Sequence, residues 1–155
     1  MLQASHTVTI ARPPAEVFAF VADAENDPKW RPGVLDIRKE SGEGAGAIYR
    51  QGVKGPGGRR ITADFEVTSS ESPTAFAFRT IAGPVRPRGE FRLEPADGGT
   101  RLTFSLEAEL GGFKKLVMGR MVAKTMDEEA RAIENLKRVL EGGAPSGGSG
   151  AAPSS

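Results

Sequence analysis

Residues Phe113 to Glu141 read FKKLVMGRMVAKTMDEEARAIENLKRVLE, and the fold is decided by this stretch. Phe113, Leu116, Val117, Met121, Val122, Met126, Ala130, Ile133, Leu136, Val139 and Leu140 recur at intervals of three and four, which predicts one helix with a single apolar stripe. Gly111-Gly112 before it and Gly142-Gly143 after it mark its ends. On the polar side Asp127 with Arg131, and Glu134 with Arg138, are acid-before-base pairs four apart. Lys137 and Arg138 fall in the last turn, where the helix dipole favours cations. At 1.5 Å per residue the helix would be about 43 Å long. The remaining chain must supply a surface for its stripe.

Residues 1–141 of the 155 are expected to form one domain. The tail, Gly142 to Ser155, holds only Gly, Ala, Pro and Ser and is expected to stay disordered, because it has too little apolar surface to order itself. Twenty-one Lys and Arg against twenty Asp and Glu give a net charge of +1, with no long block of one sign, so no nucleic-acid partner is expected. The absence of cysteine excludes disulfides and thiolate chemistry. With no basic-then-apolar leader in Met1 to Ile10, the expected location is cytoplasmic. No run approaches the ~18 apolar residues of an integral membrane segment.

Ser5 to Arg12 alternates polar and apolar and predicts a first strand. Pro13-Pro14 opens a short helix over Val17, Phe18, Phe20 and Val21. A second helical turn lies in Ala24 to Pro32, with Asp27 as its cap and Trp30 near its end. From Val34 a turn signal recurs about every ten residues, predicting strands at Val34–Glu40, Ala47–Val53, Arg59–Ser69, Thr74–Ala82, Val85–Glu94 and Thr100–Leu110. Gly42, Gly44 and Gly46, like Gly55-Pro56-Gly57-Gly58, precede strands rather than helices and read as hairpin turns, not phosphate loops. Phe65 and Val67, Phe76 and Phe78, Phe91 and Leu93, and Leu102, Phe104 and Leu106 share one dry face by parity.

The fold class is thus α+β, with a seven-stranded antiparallel sheet, two short helices after the first strand and a long C-terminal helix. Seven strands at ~4.8 Å spacing span roughly 34 Å, whereas a helix is only about 10–12 Å across. To cover its dry face the sheet must curve around the helix. Such a grip tends to leave a gap, and that gap is the expected ligand cavity.

The stretches VTIARPPAEVFAFVAD (Val8 to Asp23), Asp27-Pro28-Lys29-Trp30, GAIYRQ (Gly46 to Gln51) and Ser72-Pro73 resemble the helix-grip fold of the START and birch-pollen-allergen superfamily. More narrowly they resemble the bacterial polyketide cyclase/dehydrase and lipid-transport group. The resemblance covers Ser5 to about Leu140 and implies a cavity for a lipid or polyketide-like molecule. The group includes ligand carriers, ligand sensors and cyclases, so it leaves activity open.

His6, the only histidine, is expected at the frayed start of the first strand, as an ordinary surface residue. One histidine and no cysteine leave no usual zinc site, and neither metal nor cofactor is expected. Asp127-Glu128-Glu129 point about 100° apart around a helix and read as a solvated face. Trp30, Phe65, Phe76, Phe78, Phe91, Phe104, Met118 and Met121 are candidate cavity-lining residues, because flat and flexible side chains repack around an apolar guest. Tyr49 and Arg50 are the candidate polar pair. Parity directs one of them inward without saying which, and an inward Arg50 would require an anionic or carbonyl-bearing ligand. Thr80 and Thr125 are further inward candidates. Arg86, Arg88 and Arg92, with Glu90 and Glu94 between them, read as charge pairing on the wet face.

The expected function is binding of a hydrophobic or aromatic small molecule, as a monomer or weak homodimer. The alternatives are a polyketide aromatase/cyclase, whose catalytic residues would be unknown, and a non-catalytic interaction protein with a filled core. The scarcity of inward polar residues leans away from the enzyme.

Overall fold

Proline and glycine set the chain's corners, and alternation fills the strands between them. The structure, a computed structural model, describes residues 1–142. Strand β1 (Leu2–Ile10) leads to helix α1 (Pro14–Ala22) and a 3-10 turn (Ala24–Lys29). Strands β2 (Val34–Ser41), β3 (Ile48–Lys54), β4 (Arg60–Thr62), β5 (Phe65–Glu71), β6 (Ala75–Thr80), β7 (Arg88–Ala96) and β8 (Gly99–Ala108) follow. Helices α2 (Gly112–Arg131) and α3 (Ile133–Gly142) close the described chain.

The strands form one curved antiparallel sheet in the order β1-β8-β7-β6-β5-β3-β2, with β4 paired to β3. Val8, Ile10, Phe65, Val67, Phe76, Phe91, Leu93, Leu102, Phe104 and Leu106 turn to its concave side and are buried. The convex side carries cross-strand ion pairs in register: Glu66–Arg79 at 2.7 Å, Arg88–Glu107 at 2.8 Å and Glu94–Arg101 at 3.2 Å. Exposed pairs of this kind add at most about 1 kcal/mol each, but they keep the wet face hydrated and in register. α2 and α3 lie chiefly along β1 and β8 on the concave side, which is the helix-grip arrangement.

Several elements depart from the sequence expectation. The strand expected over Arg59–Ser69 is split, because Ala63 N–H donates to the Gln51 carbonyl while Asp64 Oδ1 accepts from Gln51 N–H, so the chain bends there. β7 starts only at Arg88, since Pro84 and Pro87 cannot donate to a ladder. β1 begins at Leu2, drawn out by pairing along ten-residue β8, so His6 sits mid-strand opposite Phe104 rather than at a frayed end. Asp23, not Asp27, caps the 3-10 turn, accepting from Glu25 N–H at 3.3 Å.

The long helix is interrupted at Ala132, and its apolar residues do not form one stripe. Gly119, Val122, Met126, Ala130, Ile133 and Leu136 are buried, whereas Phe113, Leu116, Val117 and Met121 are exposed. Each i to i+4 step turns roughly 40° further around a helix, so a row that begins at Phe113 faces away from the sheet while the row through Val122 faces it. Residues 143–155, most of the expected tail, lie outside the described residues.

Candidate functional site: the aromatic interior

The concave face is lined by a continuous run of rings. Register places Tyr49 opposite Phe65, Val67 opposite Phe78, and Phe91 opposite both Phe76 and Phe104. Tyr49 stacks on Phe65 with ring centres 5.1 Å apart, and Phe65 meets Phe78 at 5.3 Å. Phe78 meets Phe104 at 6.3 Å, and Phe104 stacks on Phe91 at 4.2 Å. Trp30 presents its edge to Phe91 and Phe104 at 6.0 and 6.3 Å. Such pairs add about 0.5–1.5 kcal/mol beyond the area they bury, so the run is a packed aromatic wall.

Toward one end the wall is less deeply covered. Phe78, Val85, Leu110 and Met118 are only partly buried, where the β6–β7 loop meets the start of α2. Gly89 lies beneath Phe78, and a Cβ there would stand 2.6 Å from the ring. Glycine therefore lets the ring lie flat against the sheet. Further in, the rings and Trp30 fill the space beneath Val122, Met126, Ile133 and Leu136. Two surface hollows lie elsewhere. The larger, about 600 Å³, is an open crevice where Asp23, Glu25, Lys39, Glu43 and Tyr49 meet.

The polar pair resolves cleanly. Tyr49 is buried, and burial raises its pKa, so it carries its phenolic proton at neutral pH. Arg50 points to solvent and pairs with Glu40. Thr125 is exposed as well, Met121 is 46% exposed, and Thr80 is partly buried. The placement of Arg50, Met121 and Thr125 in the interior is thereby corrected: β3 turns its Tyr49 and Gln51 phase inward, and Met121 and Thr125 fall on the outer side of α2. Trp30, Phe65, Phe76, Phe78, Phe91 and Phe104 are brought together, with Met118 at the rim.

A buried charged cluster beside Trp30 went unread in the sequence. The Arg31 guanidinium donates to Asp27 Oδ2 and to Gln51 Oε1, both at 2.8 Å, and to the Glu129 carboxylate. Gln51 Nε2 donates in turn to the Ala63 carbonyl. Burial pushes the Asp27 carboxyl up to about 6 despite its pairing with Arg31. Burial also works against the Arg31 charge, but Glu129 and Asp27 outweigh it and hold that pKa above the ordinary value. The Trp30 indole N–H is near enough to favour ionised Asp27 yet makes no hydrogen bond. It is the one buried side-chain polar atom without a partner among the described residues. The four-residue spacing of Asp27 and Arg31 was the available signal.

This cluster also anchors the helices. Asn135 donates to the Trp30 carbonyl at 3.1 Å, His6 Nε2 lies 2.7 Å from the Glu134 carboxylate, and Lys137 donates to the Thr9 carbonyl at 2.6 Å. Ala11 N–H donates to Glu141 at 2.7 Å. Across residues 112–124 the one comparable tie among the described residues is Lys114 Nζ to the Pro84 carbonyl at 3.3 Å. Among the described residues no cluster of three His, Cys, Asp or Glu side chains converges as a metal site, and no helix is long and apolar enough to cross a membrane.

A family model described as "Polyketide cyclase / dehydrase and lipid transport" matches residues 1–141. An uncharacterized Mycobacterium tuberculosis protein, Rv2574, is 32% identical over 111 residues, 69% of this chain and 65% of its own length. The chain therefore spans about two thirds of that relative. Among solved structures, TTHA0849 of Thermus thermophilus superposes with a TM-score of 0.76 at 21% identity, covering 89% of this chain and 96% of its own. A START superfamily protein from Mycobacterium smegmatis superposes at 0.69 and 19% identity, covering 89% and 98%. At these identities the likeness is one of fold.

Proposed function

This chain belongs to the polyketide cyclase / dehydrase and lipid transport family, and on that premise we propose that its concave interior binds a hydrophobic or aromatic small molecule, entering between Phe78 and Met118. The observation that carries the reading is the aromatic run itself, which extends from the enclosed Trp30 to the partly buried Phe78. Space for the guest comes from ring rotation at Phe78 and from movement of the weakly tied first half of α2. The Trp30 N–H, which has no partner within the protein, is the donor available to a carbonyl or hydroxyl on the guest.

A second reading, cyclisation of a polyketide-like chain, is favoured by one observation: Asp27, with its pKa pushed up to about 6, lies beside an unpaired indole N–H. A carboxyl poised near neutrality is suited to moving a proton. If the site is catalytic, Asp27→Asn abolishes turnover of a linear poly-β-keto thioester while leaving its binding intact.

The binding reading is tested by native mass spectrometry of the protein as purified, then by titration with fatty acids, flavonoids and aromatic polyketides while following the single tryptophan, Trp30. Stoichiometric uptake with a change in Trp30 emission is expected. No uptake from any class in the panel would overturn it.

A further inference from the structure

The outer side of α2 carries four of the six exposed large apolar side chains among the described residues. Leu116, Phe113, Val117 and Met121 are 84, 79, 64 and 46% exposed, at the three- and four-residue spacings that put them on one helix face. Folded proteins in water seldom leave four large apolar side chains adjacent and bare unless the patch has a partner. Lys114, Lys115, Arg120 and Lys124 are interleaved with them, and no acidic residue occurs in residues 111–126. Among the described residues none of these four cations has a salt bridge, whereas beyond Met126 the pairs Asp127–Arg131, Glu129–Arg31, Glu134–His6 and Glu141–Lys137 are all formed. Unpaired charge and bare apolar surface thus coincide on the same stretch of helix.

We propose that this face, residues 113–124, docks the protein on an anionic lipid bilayer. Charge selects that occupant. A second copy of the chain, meeting this face with the same face, would set Arg120 and Lys124, which fall between Leu116 and Val117 around the helix, against their own counterparts with no acidic residue to pair them, and be repelled. The patch is also a ridge on a helix rather than a groove, so it presents side chains outward for insertion instead of a slot for a partner helix. A helix whose exposed aromatic and aliphatic residues are mixed with long, flexible cations lies in the headgroup layer, the Lys and Arg stems reaching up to the phosphates while the apolar side chains meet the acyl boundary. The ridge shares its helix with the partly buried Met118, but docking does not depend on what the interior holds.

Flotation of the full chain with vesicles of phosphatidylcholine alone, and with about a third phosphatidylglycerol, tests the proposal. Binding only to the anionic vesicles is expected, with loss in about 0.5 M salt, where screening shortens to a few ångströms. Lys114→Glu with Arg120→Glu, and separately Phe113→Ser with Val117→Ser, are each expected to weaken binding at least about tenfold. Unchanged thermal melts would show that both pairs still fold, as their exposure implies. The proposal is overturned by absence of vesicle binding, equal binding to neutral vesicles, or binding that both double variants retain. Concentration-dependent self-association removed by Phe113→Ser with Val117→Ser, without vesicle binding, would assign the face to a second copy and equally overturn it.

Discussion

Gly89 and Phe78 form a matched pair, and each is explained by the other. A Cβ at position 89 would meet Phe78 ring atoms at 2.6 and 2.7 Å and Leu106 at 3.0 Å, so Gly89→Ala must tilt the ring toward the rim. A destabilisation of about 1–3 kcal/mol is expected in denaturant melts, and Phe78→Leu in the same chain should restore part of it, a coupling that a double-mutant cycle measures. Asp27 supplies a second prediction. Its folded pKa of about 6 lies above the ordinary value of 3.8, so between those values the folded state holds the proton more tightly than the unfolded chain does. The stability that Asp27 contributes is therefore present at low pH and declines as pH rises from about 4 to about 6. Melting temperatures of Asp27→Asn should fall less over that interval than those of the parent protein. An unchanged slope would show that the carboxyl does not titrate there. Strand alternation already placed Phe65, Phe76, Phe91 and Phe104 inward, whereas the Tyr49 and Arg50 phases were indistinguishable until β3 paired with β5 and Glu40 offered Arg50 a partner on the outside.

At the scale of elements, α2 is two helices in one. Its second half, with α3, is fastened to β1, the 3-10 turn and the sheet by Glu129, Glu134, Asn135, Lys137 and Glu141, while its first half stands nearly free. Substitutions should divide the same way. Met126→Ala and Leu136→Ala are expected to cost about 2–5 kcal/mol, and Leu116→Ser or Val117→Ser to stay within about 0.5 kcal/mol, in chemical denaturation. Amide exchange should likewise be faster over residues 112–124 than over residues 126–140. Equal protection of the two halves would contradict the division. The sequence reading placed this helix almost to the residue yet merged its two apolar rows. Three- and four-residue intervals record that a helix forms, and only the position of the sheet separates a row that is covered from one that is bare.

For the whole molecule, a packed aromatic wall meets a helix half with few polar ties. The proposed guest would enter where these two meet, next to the proposed lipid-docking face. If Phe78 lines such a site, Phe78→Ala should change the affinity for an aromatic probe more than it lowers the melting temperature. A loss of stability with unaltered binding would count against the interior as the site. By itself the sequence determined the α+β class, the order of strands and helices, the long C-terminal helix and the inward aromatic set. Those features follow from periodicity and from proline and glycine punctuation, which act over a few residues. Tertiary structure alone decided the burial of Asp27 and Arg31 against Glu129, the inward phase of Tyr49, the glycine under Phe78 and the bare face of α2. Each of these depends on contacts between residues far apart in the chain, which local pattern at most hints at, as the four-residue spacing of Asp27 and Arg31 does.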